Sequence, residues 1–429
     1  MIRRIRRIGP ICQINPEMLK TTLLTLTLIL SAGAASAGDP LTYSAKAQQM
    51  MSRGEYDQAL YELKNAFSLF PYDQNLRHNL AVTYAEMAKR DLNAGRYAKA
   101  AERFKEAREL LPENRELGLM RGVALYLDKE YAAAQSEFLQ AGEGSEPLIY
   151  LGKISYDTGD LPGALSLWRR AQEKEPANKV LASLVEKAER ELPVESRMDK
   201  GYSSMFDLSF DAELPPGLSA EVLDALESAY NQVGADLGLF PTARIPVLLY
   251  ARRDYSSVTA GPDWSGGLYD GKIRLPVGGV TKVTPQMRAV LFHEFTHVLI
   301  AELTRGNIPT WLNEGIAEIQ GRREYAPAAP ELRLAGEGEL LPLATLSGPF
   351  TSMPVAQAGL AYRQSYSMVQ FMVSRYGWYA IQQILKHLGE QATMEQAAAT
   401  ALSDWSLDLP GVLRQWRASL PPPAGKSGE

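Results

Sequence analysis

The sequence predicts a multidomain protein in which an all-α solenoid precedes an α+β domain. Two observations predict this architecture. Residues 44–192 repeat a helix–turn–helix pattern, whereas residues 200–420 mix strand-like and helical periodicities. The chain has 429 residues, 45% of them hydrophobic and 22% charged. This length and composition allow two domains, each large enough to bury a core.

The first 37 residues belong to neither domain. A basic start is followed by a short apolar run that ends in Ala35-x-Ala37, and these features are typical of a cleavable export signal. The alternative is an uncleaved membrane anchor, which the short, threonine-rich run disfavours because a span needs about 20 apolar residues. Either Met1 or Met18 can begin such a signal. We therefore expect an exported protein, periplasmic or secreted, without a stable membrane span after cleavage.

The charge of the exported chain disfavours some partners. Residues 1–37 contain five basic residues and one acidic residue, so the remainder has 40 basic and 49 acidic side chains. A formal charge near −9 disfavours nucleic acid and anionic lipid as the main partner. The single cysteine, Cys12, lies in the signal, so the exported chain cannot rely on a disulfide.

The repeats of the first half share fixed small and large positions. A small residue recurs at intervals of 41, 34 and 30 residues and again seven positions later in each repeat. The small positions are Ala59, Ala100, Ala134 and Ala164, then Ala66, Ala107, Ala141 and Ala171, and the large residues between them are Leu63, Phe104, Phe138 and Trp168. This pattern resembles the tetratricopeptide repeat. Residues 177–193 then read as an amphipathic helix that closes the array.

A tetratricopeptide array implies a concave groove that binds a protein or peptide partner. The alternative is a spacer or dimerisation surface without a specific ligand, and the sequence leaves both open. The array contains no catalytic constellation.

The second half begins with alternating strands and helices. The segments "MFDLSFDAEL" and "RIPVLLYARR" have strand character, and a helical period closed by glycine separates them. The segment "SGGLYDGKIRLPVGG" reads as two strands around a turn at 269–271 or as one strand with a bulge.

A helix that follows these strands carries the motif "HEFTH". Thr284 is placed to cap it, with Pro285 in its first turn and Gly306 just past its end. His293 and His297 are one turn apart, so their rings can converge on one metal ion. Glu294 is then placed to act as a general base on a water molecule, as in the H-E-x-x-H arrangement.

A zinc site needs a third protein ligand, which the segment "IPTWLNEGIAEIQG" can supply. A helix starting near Thr310 presents Glu314 and, one turn later, Glu318. Glu314 can complete a site with two histidines and one glutamate, and Glu318 can accept the other ring N–H of a ligating histidine. Both could instead be solvated surface residues, but their apolar neighbours indicate a buried helix.

"HEFTH" followed by "PTWLNEGIAE" resembles the gluzincin metallopeptidases, and most closely the peptidase MA-like family found behind tetratricopeptide repeats. The resemblance covers about residues 200–390. It implies one Zn²⁺ per chain bound by His293, His297 and Glu314, with Glu294 as the base. It also implies that "GLYDGKIRLPV" is an edge strand along which an extended peptide substrate lies.

The transition state of peptide hydrolysis also needs a donor for its oxyanion. Thermolysin-like enzymes use a histidine, and His387 is the remaining candidate, although its place near a helix end favours a surface role. Aminopeptidase-like relatives use a tyrosine, and Tyr362 and Tyr366 lie one turn apart, with Tyr366 preferred. The chain lacks a "GAMEN"-like segment, which disfavours exopeptidase activity.

The last segments surround this site. Residues 321–357 are rich in Pro, Gly and Ala and read as a lid or a mobile loop. Residues 377–420 read as three short helices, and 421–429 as a disordered tail.

The resulting hypothesis is an exported zinc-dependent endopeptidase whose repeats recruit a protein partner or substrate. The alternative is a non-catalytic scaffold with a zinc-stabilised peptidase-like domain, and a cell-wall peptide amidase would share the metal chemistry. The presence of Glu294 favours an enzyme, because a site that has lost its activity does not need its general base.

Overall fold

A computed structural model describes residues 39–250, 252–259, 268–325, 340–350 and 353–420. The predicted signal (1–37) and tail (421–429) lie outside the described residues. The chain divides into two compact units, with the boundary between Glu189 and Arg190.

The first unit contains four helical hairpins, which confirms the predicted all-α array. Its helices are α1 (Pro40–Ser52), α2 (Tyr56–Leu69), α3 (Gln74–Asn93), α4 (Tyr97–Leu110), α5 (Arg115–Leu127), α6 (Tyr131–Ala141), α7 (Ser145–Asp157) and α8 (Leu161–Lys174). Short polar side chains begin several of them. Asp73 accepts the backbone N–H of Leu76 at the start of α3, and Asn114 caps α5 in the same way.

The repeated small and large residues form the core of the array. Seven of the eight repeated alanines and all four large residues are fully buried. Ala141 is only half-buried, because it is the last residue of α6. Small residues let neighbouring helices approach closely, and the large ones fill the space between hairpins. The spacing noted in the sequence therefore reflects packing.

Helix α9 (Lys179–Glu195) follows the hairpins, two residues later than predicted at each end. Leu181 and Ala188 are fully buried on its apolar face. The boundary between the two units falls within this helix, so its last turns, from Arg190 onward, belong to the second unit.

The second unit contains a five-stranded mixed sheet of order β1-β2-β3-β5-β4. The strands are β1 (Asp199–Tyr202), β2 (Phe206–Phe210), β3 (Ile245–Tyr250), β4 (Leu268–Tyr269) and β5 (Ile273–Pro276). Strands β2, β3 and β5 are parallel, while β1 and β4 are antiparallel to their neighbours at the two edges. The sequence did not predict β1, because "DKGY" lacks an apolar alternation.

The segment around the turn at 269–271 forms two strands, β4 and β5. This agrees with the first of the two interpretations of the sequence and not with one strand that contains a bulge. The expectation that "GLYDGKIRLPV" is a single edge strand is wrong in this respect. Strand β5 is interior, since β3 pairs with it on one side and β4 on the other. Of the two strands in this segment, only β4 lies at an edge of the sheet. The chain turns back between them at Gly271, whose φ of 102° suits a residue without a side chain.

One face of the sheet packs against helices. Alternate residues of β5, Ile273 and Leu275, join the core with helix α10 (Leu218–Leu237) and helix α12 (Pro285–Thr304). This core fixes α12, which carries the "HEFTH" motif, beside the sheet.

The opposite face carries a buried group of charged side chains, here called the ion-pair cluster. Its members are Glu191, Glu195, Asp270, Lys272 and Arg274. Arg274 donates from Nε to Asp270 at 3.0 Å and from its terminal nitrogens to Glu191 and Glu195 at 2.8 Å each. Lys272 donates to Glu195 at 3.0 Å.

The remaining helices of the second unit complete its core. They are α11 (Arg252–Thr259), α13 (Thr310–Glu324), α14 (Leu343–Ser347), α15 (Val355–Gly389), α16 (Met394–Ala401) and α17 (Leu409–Ser419). Helix α15 is broken at Gly377, whose φ is 77°. From that break onward the chain forms three short helices, as predicted for 377–420. Of the segment expected to be a lid or loop (321–357), residues 326–339 and 351–352 lie outside the described residues. The described parts include α14, the end of α13 and the start of α15, so they are not simply a loop. Across the ranges that the structure describes, no helix has both the length and the apolarity of a membrane span.

Candidate metal centre

Helix α12 holds both histidines of the motif in a buried position. The side chain of Thr284 accepts the N–H of Met287, and Pro285 occupies the first turn. The helix ends at Arg305 and Gly306, both with positive φ, so its predicted start and end are confirmed. His293, Glu294 and His297 are each no more than 5% exposed. The histidines lie one turn apart with ring centroids 4.8 Å from each other.

Helix α13 packs unusually close to its neighbours because two of its residues are glycines. A Cβ at Gly315 would lie 2.6 Å from the Ser365 carbonyl oxygen of α15 and 2.5 Å from a Val369 methyl group. A Cβ at Gly321 would lie 2.8 Å from the Ala289 carbonyl oxygen of α12. Helix α13 is therefore held against both helices, and Glu314, next to Gly315, faces α12.

The structure brings the three predicted ligands together. Glu314 Oε2 lies 3.5 Å from His293 Nε2 and 3.7 Å from His297 Nε2. One ligand atom from each residue lies within 4.8 Å of the others. Tetrahedral ligands about 2.0–2.2 Å from a common zinc ion are roughly 3.3–3.6 Å apart. The two distances from Glu314 are thus close to those that one zinc ion requires.

The hydrogen bonding of this group also fits a cation. Among the described residues, His293 Nε2 and both carboxylate oxygens of Glu294 are buried without a hydrogen-bond partner. Buried polar atoms of proteins are normally paired, so unpaired acceptors on the adjacent residues His293 and Glu294 fit a centre that binds a cation. Two imidazoles and a carboxylate are donors that zinc prefers. The residues present therefore fit a divalent zinc ion.

Burial and neighbouring charges shift the protonation of this group. Burial raises the pKa of Glu294 to about 8, where the negative charge of Glu314 adds to the rise and His293 opposes it. Burial lowers the pKa of His293, but the neighbouring carboxylates, Glu314 first, outweigh it and hold that pKa above its ordinary value. The raised pKa of Glu294 thus reflects mainly its burial, and the raised pKa of His293 reflects the carboxylates around it.

Further polar side chains lie behind the histidine rings. His297 Nδ1 lies 3.1 Å from Asn313 Oδ1, so this nitrogen can donate and leave Nε2 as the ligand. His293 Nδ1 lies 3.9 Å from Glu318 Oε1, and Glu318 Oε2 accepts from Arg322 Nε at 3.1 Å. Glu318 therefore lies next to the ring of His293, but the predicted hydrogen bond to that ring is not made at this distance.

Asn313 and Arg322 were missed by the sequence reasoning. Asn313 immediately precedes Glu314, and Arg322 follows Glu318 by one helical turn. Once α13 is assigned as a helix, the place of Asn313 beside Glu314 and of Arg322 one turn after Glu318 could have identified both residues.

The three candidates for the oxyanion donor differ in their surroundings. The ring of Tyr366 lies against the guanidinium of Arg322, with Cζ 4.1 Å from the ring centroid. Tyr362 packs edge-on against Phe350, with centroids 5.2 Å apart. Tyr366 is thus linked to the centre through Arg322 and Glu318, whereas His387 pairs with Glu390 at 3.1 Å at the end of α15.

Comparison with known proteins bears on the second half of the predicted resemblance. Residues 227–421 match a family model described as the Peptidase MA superfamily. This part of the chain, which carries the candidate metal centre, is therefore similar to that superfamily. No curated protein sequence matches the chain.

Two solved structures are similar to part of the chain. One is a thermophilic tetratricopeptide-repeat protein of Thermus thermophilus, with 23% identity over 35% of this chain and 81% of that one, at a TM-score of 0.24. The other is MamA of Desulfovibrio magneticus, with 17% identity over 36% of this chain and 96% of that one, at a TM-score of 0.26.

Proposed function

We propose that the Peptidase MA domain is a zinc-dependent endopeptidase, that the chain is exported to the periplasm or secreted, and that its repeats recruit a protein partner or substrate. The observation that carries the enzymatic part is the juxtaposition of Glu294 with a buried group of three metal-ligand side chains. A base with no hydrogen-bond partner among the described residues is available for a water molecule beside that group.

His293, His297 and Glu314 would hold the ion, with Asn313 fixing the orientation of the His297 ring. Glu318, 3.9 Å from His293 Nδ1, would orient the other ring if the two groups approach on metal binding. When bound, zinc supplies a positive charge that polarises a carbonyl group and acidifies water. Glu294 accepts a proton from the attacking water and delivers it to the leaving amine. The hydroxyl group of Tyr366 donates to the developing oxyanion, with Tyr362 as the alternative.

We place an extended substrate at the edge of the sheet that β4 forms among the described residues. Strand β4 is the terminal strand on the side of β5, so its outer backbone groups can pair with a peptide. Helix α12 packs beside β4. A peptide bound in this way would therefore run past the helix that carries His293 and Glu294.

The second candidate is a scaffold in which zinc only stabilises the fold. The buried and intact Glu294 argues against it, because a carboxylate without a hydrogen-bond partner among the described residues destabilises a fold that gains no function from it.

Replacing Glu294 with Gln separates the two candidates. The zinc-loaded wild type is expected to cleave a casein or mixed-peptide substrate. The Glu294→Gln protein should retain zinc and lose about 10²–10⁴-fold in the rate of hydrolysis, which is the usual contribution of a general base. Equal hydrolysis by both proteins would show that Glu294 is not the base. Zinc binding without hydrolysis in the wild type would favour the scaffold.

A further inference from the structure

Glu318 lies between His293 of the candidate metal centre and Arg322, and it presents a different carboxylate oxygen to each. Its Oε1 lies 3.9 Å from His293 Nδ1, and its Oε2 accepts from Arg322 Nε at 3.1 Å. The side chain of Glu318 is only 6% exposed. A carboxylate buried to this degree needs a hydrogen-bond donor or a positive charge beside it, and the guanidinium of Arg322 provides both.

The backbone around this contact is closely packed. Gly321 lies between Glu318 and Arg322 on α13, and a Cβ there would lie 2.8 Å from the Ala289 carbonyl oxygen and 3.5 Å from Cβ of His293. Helices α12 and α13 are therefore in close contact at the level of the histidine. The remaining freedom belongs to the long side chain of Glu318, which has several rotamers unless its neighbours restrain it.

Tyr366 of α15 holds Arg322 from another direction. The guanidinium of Arg322 lies over the Tyr366 ring, with Cζ 4.1 Å from the ring centroid. A guanidinium is planar, so it can lie against an aromatic ring while its N–H groups donate hydrogen bonds. Arg322 makes both contacts at once, one with Tyr366 and one with Glu318. Together they restrain the direction from which Glu318 accepts its hydrogen bond.

We propose that Arg322 is a positioning residue of the candidate metal centre. It keeps the Glu318 carboxylate directed at His293 Nδ1, and the ring of Tyr366 holds Arg322 in turn. A closer approach of about 0.7 Å would bring Glu318 Oε1 within hydrogen-bond range of Nδ1. That bond would fix the tautomer that leaves Nε2 for the metal. The inference rests on the zinc-binding part of the proposed function, and it gives the ring of Tyr366 a role separate from that of its hydroxyl group.

A purely structural role for Arg322 makes a different prediction. In that case Arg322 stabilises α13 as an ordinary pair of charges four residues apart on a helix, and its effect on zinc binding is independent of Glu318. If Arg322 acts through Glu318, its replacement has little further effect once the carboxylate is gone. A double-mutant cycle measures this difference.

Arg323, the next residue of α13, provides a matched control. It also combines an ion pair with an aromatic contact, since its terminal nitrogen lies 2.7 Å from Asp236 Oδ2 and its Cζ lies 5.9 Å from the centroid of the Trp378 ring. Replacing Arg323 therefore removes an equivalent charge and leaves the contact of Glu318 intact.

The test measures the zinc affinity of the purified protein by competition with a chelator, so that the result does not depend on turnover. The variants are Arg322→Met, Arg322→Lys, Glu318→Gln, the double variant of Glu318→Gln with Arg322→Met, and Arg323→Met. Tyr366→Phe and Tyr366→Leu test the ring, because only leucine removes it. Circular dichroism reports on folding, and the visible absorption of the Co²⁺-substituted protein reports on the geometry of the ligands.

Glu318→Gln is expected to weaken zinc binding about 10–100-fold, which is the usual effect of removing the partner of a ligating histidine. Arg322→Met should weaken it at least about fivefold and alter the Co²⁺ absorption in the same direction. The double variant should bind zinc as Glu318→Gln does, and Arg322→Lys should recover only part of the affinity, since an ammonium group lacks the planar arrangement of donors. Arg323→Met should stay within about twofold of the wild type. Tyr366→Leu should lose more affinity than Tyr366→Phe.

Three results would overturn the inference while the wild type binds zinc. They are unchanged affinity in a folded Arg322→Met protein, a double variant that loses the product of the two single effects, and equal losses for Arg322→Met and Arg323→Met. If Arg322→Met does not fold, wild-type affinity in both Arg322→Lys and Tyr366→Leu is the contrary result. A wild type that binds no zinc removes the inference together with the proposed function, and the first measurement identifies that case.

Discussion

Two buried groups of charged side chains in the second unit balance their carboxylates in different ways. In the ion-pair cluster, Lys272 and Arg274 lie against the carboxylates at 2.8–3.0 Å. In the candidate metal centre, Glu294 has no hydrogen-bond partner among the described residues. The pKa values differ accordingly. Burial raises the pKa of Glu195, but the two cations more than offset it and lower that pKa, whereas burial raises the pKa of Glu294 to about 8.

The comparison shows what each group requires. The ion-pair cluster contains its own cations and is complete as a structural element. The candidate metal centre combines similar carboxylates with imidazoles, which are neutral ligands when they bind a metal. Our proposal is that the balancing charge at this centre is a metal ion from solution. The same physical cost of burying a carboxylate thus accounts for an ion-pair network in one place and for a candidate cation site in the other.

The largest expected effect tests the structural half of the comparison. Arg274→Met leaves Glu191 and Glu195 without their guanidinium and should lower the free energy of unfolding by about 3–5 kcal/mol in urea titrations. Arg244→Met is the control, because Arg244 pairs with Asp207 at 3.3 Å on the surface. That exposed pair should contribute about 0–1 kcal/mol. Similar losses for both variants would contradict the assigned role of the cluster.

A smaller effect is expected behind the metal ligands. Asn313→Ala removes the acceptor for His297 Nδ1 and should weaken zinc binding about 10–100-fold, measured by competition with a chelator. Asn231→Ala is the control, since Asn231 is exposed and donates to the Glu227 carbonyl oxygen within α10. Unchanged affinity in Asn313→Ala would mean that the ring of His297 is oriented by other contacts.

The smallest effect is the pH dependence of the ion-pair cluster. Because the pKa of Glu195 is lowered in the folded protein, its ionised form stabilises the fold above its ordinary pKa of about 4.3. This stabilisation is lost as the pH falls through the lowered folded value. The difference in unfolding free energy between wild type and Glu195→Gln should therefore be largest near neutral pH and shrink in acid. A difference that stays constant from pH 7 to pH 3 would show that the contact is not ionic.

Much of the fold could be predicted from the sequence because its signals are local. The spacing of the alanines predicts the helical hairpins. Thr284, Pro285 and Gly306 predict where α12 begins and ends. The candidate metal ligands could also be predicted, because a helix places residues four positions apart, such as His293 and His297, on one side. Strand β1 was missed because its four residues gain their conformation from pairing with β2 rather than from their own pattern.

The contacts that join distant segments could not be predicted. Arg274 donates a hydrogen bond to Glu191, which lies 83 positions earlier in the chain. The local sequence around neither residue predicts this pair. The environment of Tyr366 depends on how closely α13 approaches α15, which Gly315 permits but does not dictate. The sequence thus predicts the ligands better than the residues that surround them.

The most direct test of the candidate metal centre is the metal content of the purified wild-type protein, measured by mass spectrometry beside its His293→Ala variant. The wild type is expected to contain one zinc ion per chain, and the variant to have lost it. A wild type that contains no zinc even after reloading would contradict the proposal and would leave His293 and His297 as ordinary residues of a buried helix.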